Sequence, residues 1–115
     1  MNATIYHNPA CGTSRNVLAM LEERGISPRV IEYLKTPPSR EEVRTLTHKA
    51  GVPLRSLLRT NAPAFDELGL ADPALSDEQL LDAIEQHPIL LNRPIVVTDK
   101  GTALCRPKER LLDLL

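Results

Sequence analysis

One cysteine in this chain stands where its surroundings can make it a nucleophile. In Tyr6-His7-Asn8-Pro9-Ala10-Cys11-Gly12-Thr13-Ser14-Arg15-Asn16 a short strand pattern gives way to a loop and then to a helical pattern, with Cys11 at the junction. The first turn of a helix has backbone N–H groups without intrahelical partners, and the helix dipole adds positive potential there, so a thiolate is favoured. At an ordinary thiol pKa only about 3% is ionised at pH 7, and a fall of about two units makes the group mostly thiolate. Cys11-Gly12-Thr13-Ser14 has the spacing of a dithiol redox motif with serine in place of the second thiol. A Cys-x-x-Cys pair resolves its own mixed disulfide, whereas Cys11 must pass an intermediate to an outside thiol or to a distant cysteine. Gly12 lets the backbone approach an oxyanion closely, and Thr13 and Ser14 offer amides and hydroxyls to it. His7, four residues ahead, either supports the thiolate through its charge or caps the strand end.

The elements that must position this loop follow from pattern and punctuation. Ala3 to Tyr6 reads as a short strand, Thr13 to Arg24 as a helix with Val17, Leu18 and Leu21 on one face, and Arg29 to Tyr33 as a second strand. These form a βαβ unit with parallel strands, which puts Cys11 at the carboxyl end of the first strand, where α/β sheets hold their ligands. Pro37-Pro38 closes the unit, and a helical stretch follows. Ser39 with Glu42, and Ser76 with Gln79, are capping-box patterns that open helices, and Pro53 and Pro63 start shorter ones. Ile95 to Thr98 and Thr102 to Cys105 flank Asp99-Lys100-Gly101 as a β-hairpin, and Pro107 opens a last helix with Leu111, Leu112, Leu114 and Leu115. The expectation is an α/β chain, residues 1–115, forming a single thioredoxin-like domain. Its mixed four-stranded sheet is built from a βαβ unit and a ββα unit, with a helical insert at about 38–88.

Three arginines fall at breaks between these elements: Arg59 after a short helix, Arg93 just before a strand, and Arg106 just after one. Guanidinium groups suit bidentate recognition of oxyanions. A proline before the third strand of a thioredoxin-like sheet is commonly cis and sits beside the active cysteine, so Pro94 is the cis candidate and Arg93 must approach Cys11. A tyrosine phosphatase loop needs arginine six positions after its cysteine; that position is Val17 and Arg15 is too near to close the same cradle, which counts against the reading. Cys105 reads as an apolar core residue, and His48 and His87 as helix-end histidines. Two cysteines and three histidines give no metal-ligand spacing, so no metal and no bound cofactor are expected.

At 115 residues the chain suits one core, and a hydrophobic fraction of 42% with 25% charged residues is that of a globular protein. A net charge of −1 provides no broad basic field for nucleic acid or an anionic membrane. The amino terminus lacks the features of a signal peptide and no apolar run is long enough to span a bilayer, so a cytoplasmic location is expected.

The chain also resembles the glutaredoxin-coupled arsenate reductases. The resemblance runs through His7-Asn8-Pro9-Ala10-Cys11-Gly12-Thr13-Ser14-Arg15-Asn16, Pro37-Pro38 and Leu57-Leu58-Arg59. It continues in His87-Pro88-Ile89-Leu90-Leu91-Asn92-Arg93-Pro94-Ile95-Val96-Val97 and in Leu104-Cys105-Arg106-Pro107. It implies a thioredoxin-like fold in which Cys11 attacks arsenate, Arg59, Arg93 and Arg106 hold the arsenic oxyanion, and His7 and Ser14 lower the thiol pKa. It further implies glutathione as co-substrate and glutaredoxin as the partner that clears a Cys11–glutathione disulfide. Two other readings stay open. One is a glutathione-dependent thiol oxidoreductase acting on another substrate. The other is a non-enzymatic thioredoxin-fold regulator that binds RNA polymerase, although such regulators carry Cys-x-x-Cys where Ser14 stands here.

Overall fold

The computed structural model describes residues 1–115, and the chain divides into two compact units, residues 1–36 with 93–115 and residues 37–92. The first unit is built on four strands: β1 (Ala3–His7), β2 (Arg29–Glu32), β3 (Ile95–Thr98) and β4 (Gly101–Leu104). Their order across the sheet is β2-β1-β3-β4. β1 runs parallel to β2, with Ile5 opposite Val30, and antiparallel to β3, with Ile5 opposite Val96; β3 and β4 form the antiparallel hairpin. This is a thioredoxin-like mixed sheet.

The central position of β1 explains its composition. Ala3, Ile5, Tyr6 and His7 are all buried, because a strand with neighbours on both edges offers little surface. Helix α1 (Gly12–Glu23) returns the chain from β1 to β2 and buries Ser14, Val17 and Leu21. These three recur at three- and four-residue spacing, which is one face of a helix. Val17 and Leu21 join Ala3, Ile5, Val96, Cys105, Leu111 and Leu114 in one apolar core.

Two sequence expectations shift in this unit. Tyr33, read as the last residue of β2, lies past the end of that strand in the turn, fully buried. The carboxyl-terminal element, Lys108–Leu114, is a 3-10 helix. With three residues per turn it stacks Leu111 and Leu114 on one side, both buried, while Leu112 is turned out and exposed.

The second unit is helical: α2 (Arg40–Ala50), α3 (Pro63–Glu67) and α4 (Asp77–Gln86), with 3-10 turns at Leu54–Leu57 and Pro88–Leu90. Ser39 Oγ accepts from the Glu42 amide at the start of α2, and Ser76 and Gln79 form a reciprocal capping box at the start of α4. Gly51 ends α2 in the left-handed conformation, φ 67°, where a Cβ would be strained. Its core gathers Val43, Leu54, Leu58, Leu70, Leu80, Leu81, Ile84 and Leu90. On its surface Arg40 of α2 reaches Glu78, Asp82 and Glu85 of α4, and Arg44 pairs with Glu41 and Glu78. No helix is long and apolar enough to cross a membrane.

Candidate active site

The turn that follows β1 sets the geometry of the site. Cys11 N–H donates to Asn8 O at 3.0 Å, closing a four-residue turn with proline in its second position, where the fixed φ of proline suits a turn. The Asn8 side chain braces the same turn, its Oδ1 accepting from the Ala10 amide at 2.9 Å. Cys11 is then the N-cap of α1, with extended backbone (φ −95°, ψ 123°), and its own carbonyl accepts the first helical bond, from the Arg15 amide at 3.0 Å. The sulfur stands beside the amides of the first helical turn, which have no intrahelical acceptors.

Two arginines and one backbone amide converge on that sulfur. Arg106 Nη1 lies 3.5 Å from Cys11 Sγ and donates to it, and the same nitrogen donates to Arg93 O at 3.2 Å. The Arg93 carbonyl thus holds the Arg106 guanidinium in place, while the Arg93 side chain, itself buried, contributes positive charge at the sulfur. Cys11 is 7% exposed, and burial by itself pushes its thiol up. That opposing effect is outweighed by the pull of the Ser14 backbone N–H, the Arg93 charge, and the hydrogen bond and charge of Arg106, so the thiol is held below its usual range. The peptide bonds Arg93–Pro94 and Arg106–Pro107 are both cis; the second was not anticipated from the sequence.

Ser14 and His7 act one layer behind. The Ser14 hydroxyl is fully buried; its Oγ lies 2.7 Å from His7 Nδ1 and accepts from the Asn8 amide at 3.1 Å. The hydroxyl is thus engaged by the strand end on two sides, by the Asn8 amide and by the His7 ring. What Ser14 contributes to the sulfur is its backbone N–H, while its hydroxyl is bound to His7 and Asn8. Burial holds His7 below the usual imidazole range, Glu32 pulls it upward and Arg15 pushes it down.

Gly12 opens α1 and is exposed; a Cβ there would meet only the Arg15 guanidinium, at 3.7 Å. Thr13 is half-buried in the same turn. Arg15 donates to Pro9 O at 2.8 Å and clamps the loop from outside. Arg59 belongs to the helical unit, where its Nε donates to Asn61 at 3.0 Å and its backbone amide to Leu90 O at 2.7 Å. Cys105 is wholly buried in the core of the sheet unit, and burial pushes its thiol up to about 12. Both cysteines are free. Sequence reasoning passed over Asn8; its signal is the Asn-Pro dipeptide, a turn initiator directly ahead of the cysteine.

Comparison with known proteins agrees with this geometry. A family model described as the ArsC family matches residues 6–114. The chain is 58% identical over 115 residues to the arsenate reductase of Rhizobium meliloti (strain 1021), covering 100% of this chain and 82% of that protein. It is 58% identical over 114 residues to an arsenate reductase of Escherichia coli, covering 99% of this chain and 81% of that protein. Among solved structures, the arsenate reductase from Vibrio cholerae matches with a TM-score of 0.96 at 44% identity, over 100% of this chain and 98% of that one.

Proposed function

The chain belongs to the ArsC family, and from that premise we propose that it reduces arsenate to arsenite through a covalent adduct on Cys11. The observation that carries the reading is the Arg106 guanidinium on Cys11 Sγ, beside the buried charge of Arg93. A thiolate needs stabilising before attack, and an incoming oxyanion needs positive charge in the same place.

In the proposed cycle the Cys11 thiolate attacks arsenic(V) and one arsenate oxygen, protonated, leaves as water. Arg93 and Arg106 balance the charge of the oxyanion, the amides at Gly12 and Thr13 donate to its oxygens, and Arg59 keeps the oxyanion-binding role that the family resemblance implies for it. A glutathione thiol then forms a disulfide with Cys11 as arsenite departs. Two sulfurs together lose the two electrons that arsenic gains. A second thiol, delivered by glutaredoxin, removes glutathione and restores Cys11. The need for outside thiols rests on Ser14, which cannot resolve a disulfide, and on Cys105, whose buried and strongly up-shifted thiol is a poor attacker. Such a cycle suits the reducing, glutathione-rich cytoplasm.

The deciding measurement is arsenite release from arsenate in the presence of glutathione and glutaredoxin, by wild type and by Cys11→Ser. Turnover by wild type and none by Cys11→Ser is the expected result. Equal activity in the two overturns the reading.

A further inference from the structure

We propose that Asn8 is the positioning residue of this site, holding the turn that sets where Cys11 Sγ stands beside the Arg106 guanidinium. The inference rests on Cys11 being the nucleophile and goes beyond it to the residue that sets where the sulfur stands. Three bonds made by one residue carry it. Asn8 O accepts from the Cys11 amide at 3.0 Å, Asn8 Oδ1 accepts from the Ala10 amide at 2.9 Å, and Asn8 N–H donates to Ser14 Oγ at 3.1 Å. The first fixes the backbone of Cys11, the second fixes the peptide before it, and the third ties the turn to Ser14 in the first turn of α1.

Position and environment make these bonds count. Asn8 is 7% exposed and Ser14 is fully buried, so water does not readily replace a lost partner. The residue makes no bond to the sulfur and presents no charge to it. Its influence passes through geometry alone, because a hydrogen bond to a thiolate weakens steeply as the donor swings away or lengthens. Pro9 sets the backbone of the turn but has no N–H to donate, and its carbonyl is already bound by Arg15. Asparagine is thus the only side chain within the turn itself that bonds to its backbone. Among the common residues, asparagine, aspartate, serine and threonine can brace an amide two residues ahead, and asparagine does so without adding a negative charge close to the thiolate.

The test reads the sulfur directly and needs no arsenate. Second-order rates of Cys11 alkylation by iodoacetamide are measured from pH 5 to 10 for wild type, Asn8→Ala and Asn8→Ser, with thermal unfolding of each followed in parallel. Asn8→Ala is expected to move the thiolate midpoint upward by about half a unit or more, so that alkylation near pH 6 slows about threefold or more. Asn8→Ser retains an oxygen acceptor on a shorter arm, able to brace the same amide as a serine turn, and is expected to recover most of that loss. An Asn8→Ala profile that overlays wild type, whatever its thermal stability, overturns the proposal. If Asn8→Ala does not fold, a folded Asn8→Ser within threefold of wild type supports the proposal, and one slowed tenfold overturns it. Loss of arsenate turnover in Cys11→Ser reports on the reaction, whereas the alkylation profile of the Asn8 variants reports on the turn, so either idea can fail alone.

Discussion

Arg106 donates through one nitrogen to both Cys11 Sγ and the Arg93 carbonyl, joining residues 95 positions apart at the reacting atom. The bond that tunes the sulfur is therefore itself held by the backbone before the third strand. Arg106→Ala is expected to raise the Cys11 midpoint and to slow alkylation near pH 6 severalfold, while Arg106→Lys recovers only part of the effect. Lysine supplies the charge but not the planar fork that spans sulfur and carbonyl together. Alkylation rate against pH measures both variants, and identical midpoints for wild type and Arg106→Ala would exclude this role.

His7 makes folding stability depend on pH. Its imidazole binds a proton less readily in the folded protein, mainly because it is buried. A base with a depressed folded-state pKa contributes stability that is present above its unfolded value, near pH ~6.5, and is lost as the pH falls below it. The urea midpoint of wild type should thus drop more between pH 7.5 and pH 5.5 than that of His7→Gln. Parallel losses in the two proteins would contradict this sign.

Ser14→Ala removes the hydroxyl from between His7 Nδ1 and the Asn8 amide, both buried. Leaving these groups without a partner costs about 1–3 kcal/mol. The variant should fold with a lower thermal midpoint and with a less reactive Cys11. A Tm unchanged by Ser14→Ala would show that the buried hydroxyl is not needed to satisfy the turn.

Gly12→Ala separates stability from binding. Its Cβ would meet only the flexible end of Arg15, so the fold should be unaffected or slightly more stable, since alanine favours a helix over glycine. The same methyl group would stand on the exposed amide face of the first turn, where an oxyanion has to approach. A raised KM for arsenate with an unchanged Tm is the expected pattern, and an unchanged KM would remove Gly12 from the oxyanion site.

Cys105 should be silent. Pushed up to about 12 and buried in the core of the sheet unit, it forms almost no thiolate at neutral pH. A thiol reagent added to native protein should label one cysteine, and Cys105→Ala should keep arsenate turnover while losing about 1 kcal/mol of stability. Two rapidly labelled thiols would give Cys105 a place in the redox cycle.

Local signals in the sequence carried far in this chain, and side-chain direction marks where they stopped. The turn residues, the serine caps and the glycine stops mark their elements because each acts on its immediate neighbours, as Ser76 with Gln79 and Gly51 illustrate. The meeting of Arg93 and Arg106 at Cys11 could be reasoned only by first assuming a fold, since residues so far apart in the chain share no local pattern. Where the Ser14 hydroxyl points was hidden entirely. Serine at that position can face the sulfur or the strand, and only the packed His7 ring decides. Asn8 was overlooked for a related reason, because Asn-Pro announces a turn without saying what the turn carries. The bridging of α2 and α4 by Arg40 has no sequence signal either, since its three acidic partners lie on another helix.

The sheet unit is discontinuous along the chain, with residues 37–92 lying between its two parts. During synthesis Cys11 emerges long before Arg93 and Arg106, by about 4–16 s at usual translation speeds of roughly 5–20 residues per second. Until then β1 lacks β3 and the sulfur lacks both guanidinium groups that lower its pKa in the folded protein. The arginine share of the thiolate's stabilisation is thus added only when the carboxyl-terminal hairpin docks. A chain that stops before Arg93 carries the cysteine without either guanidinium group.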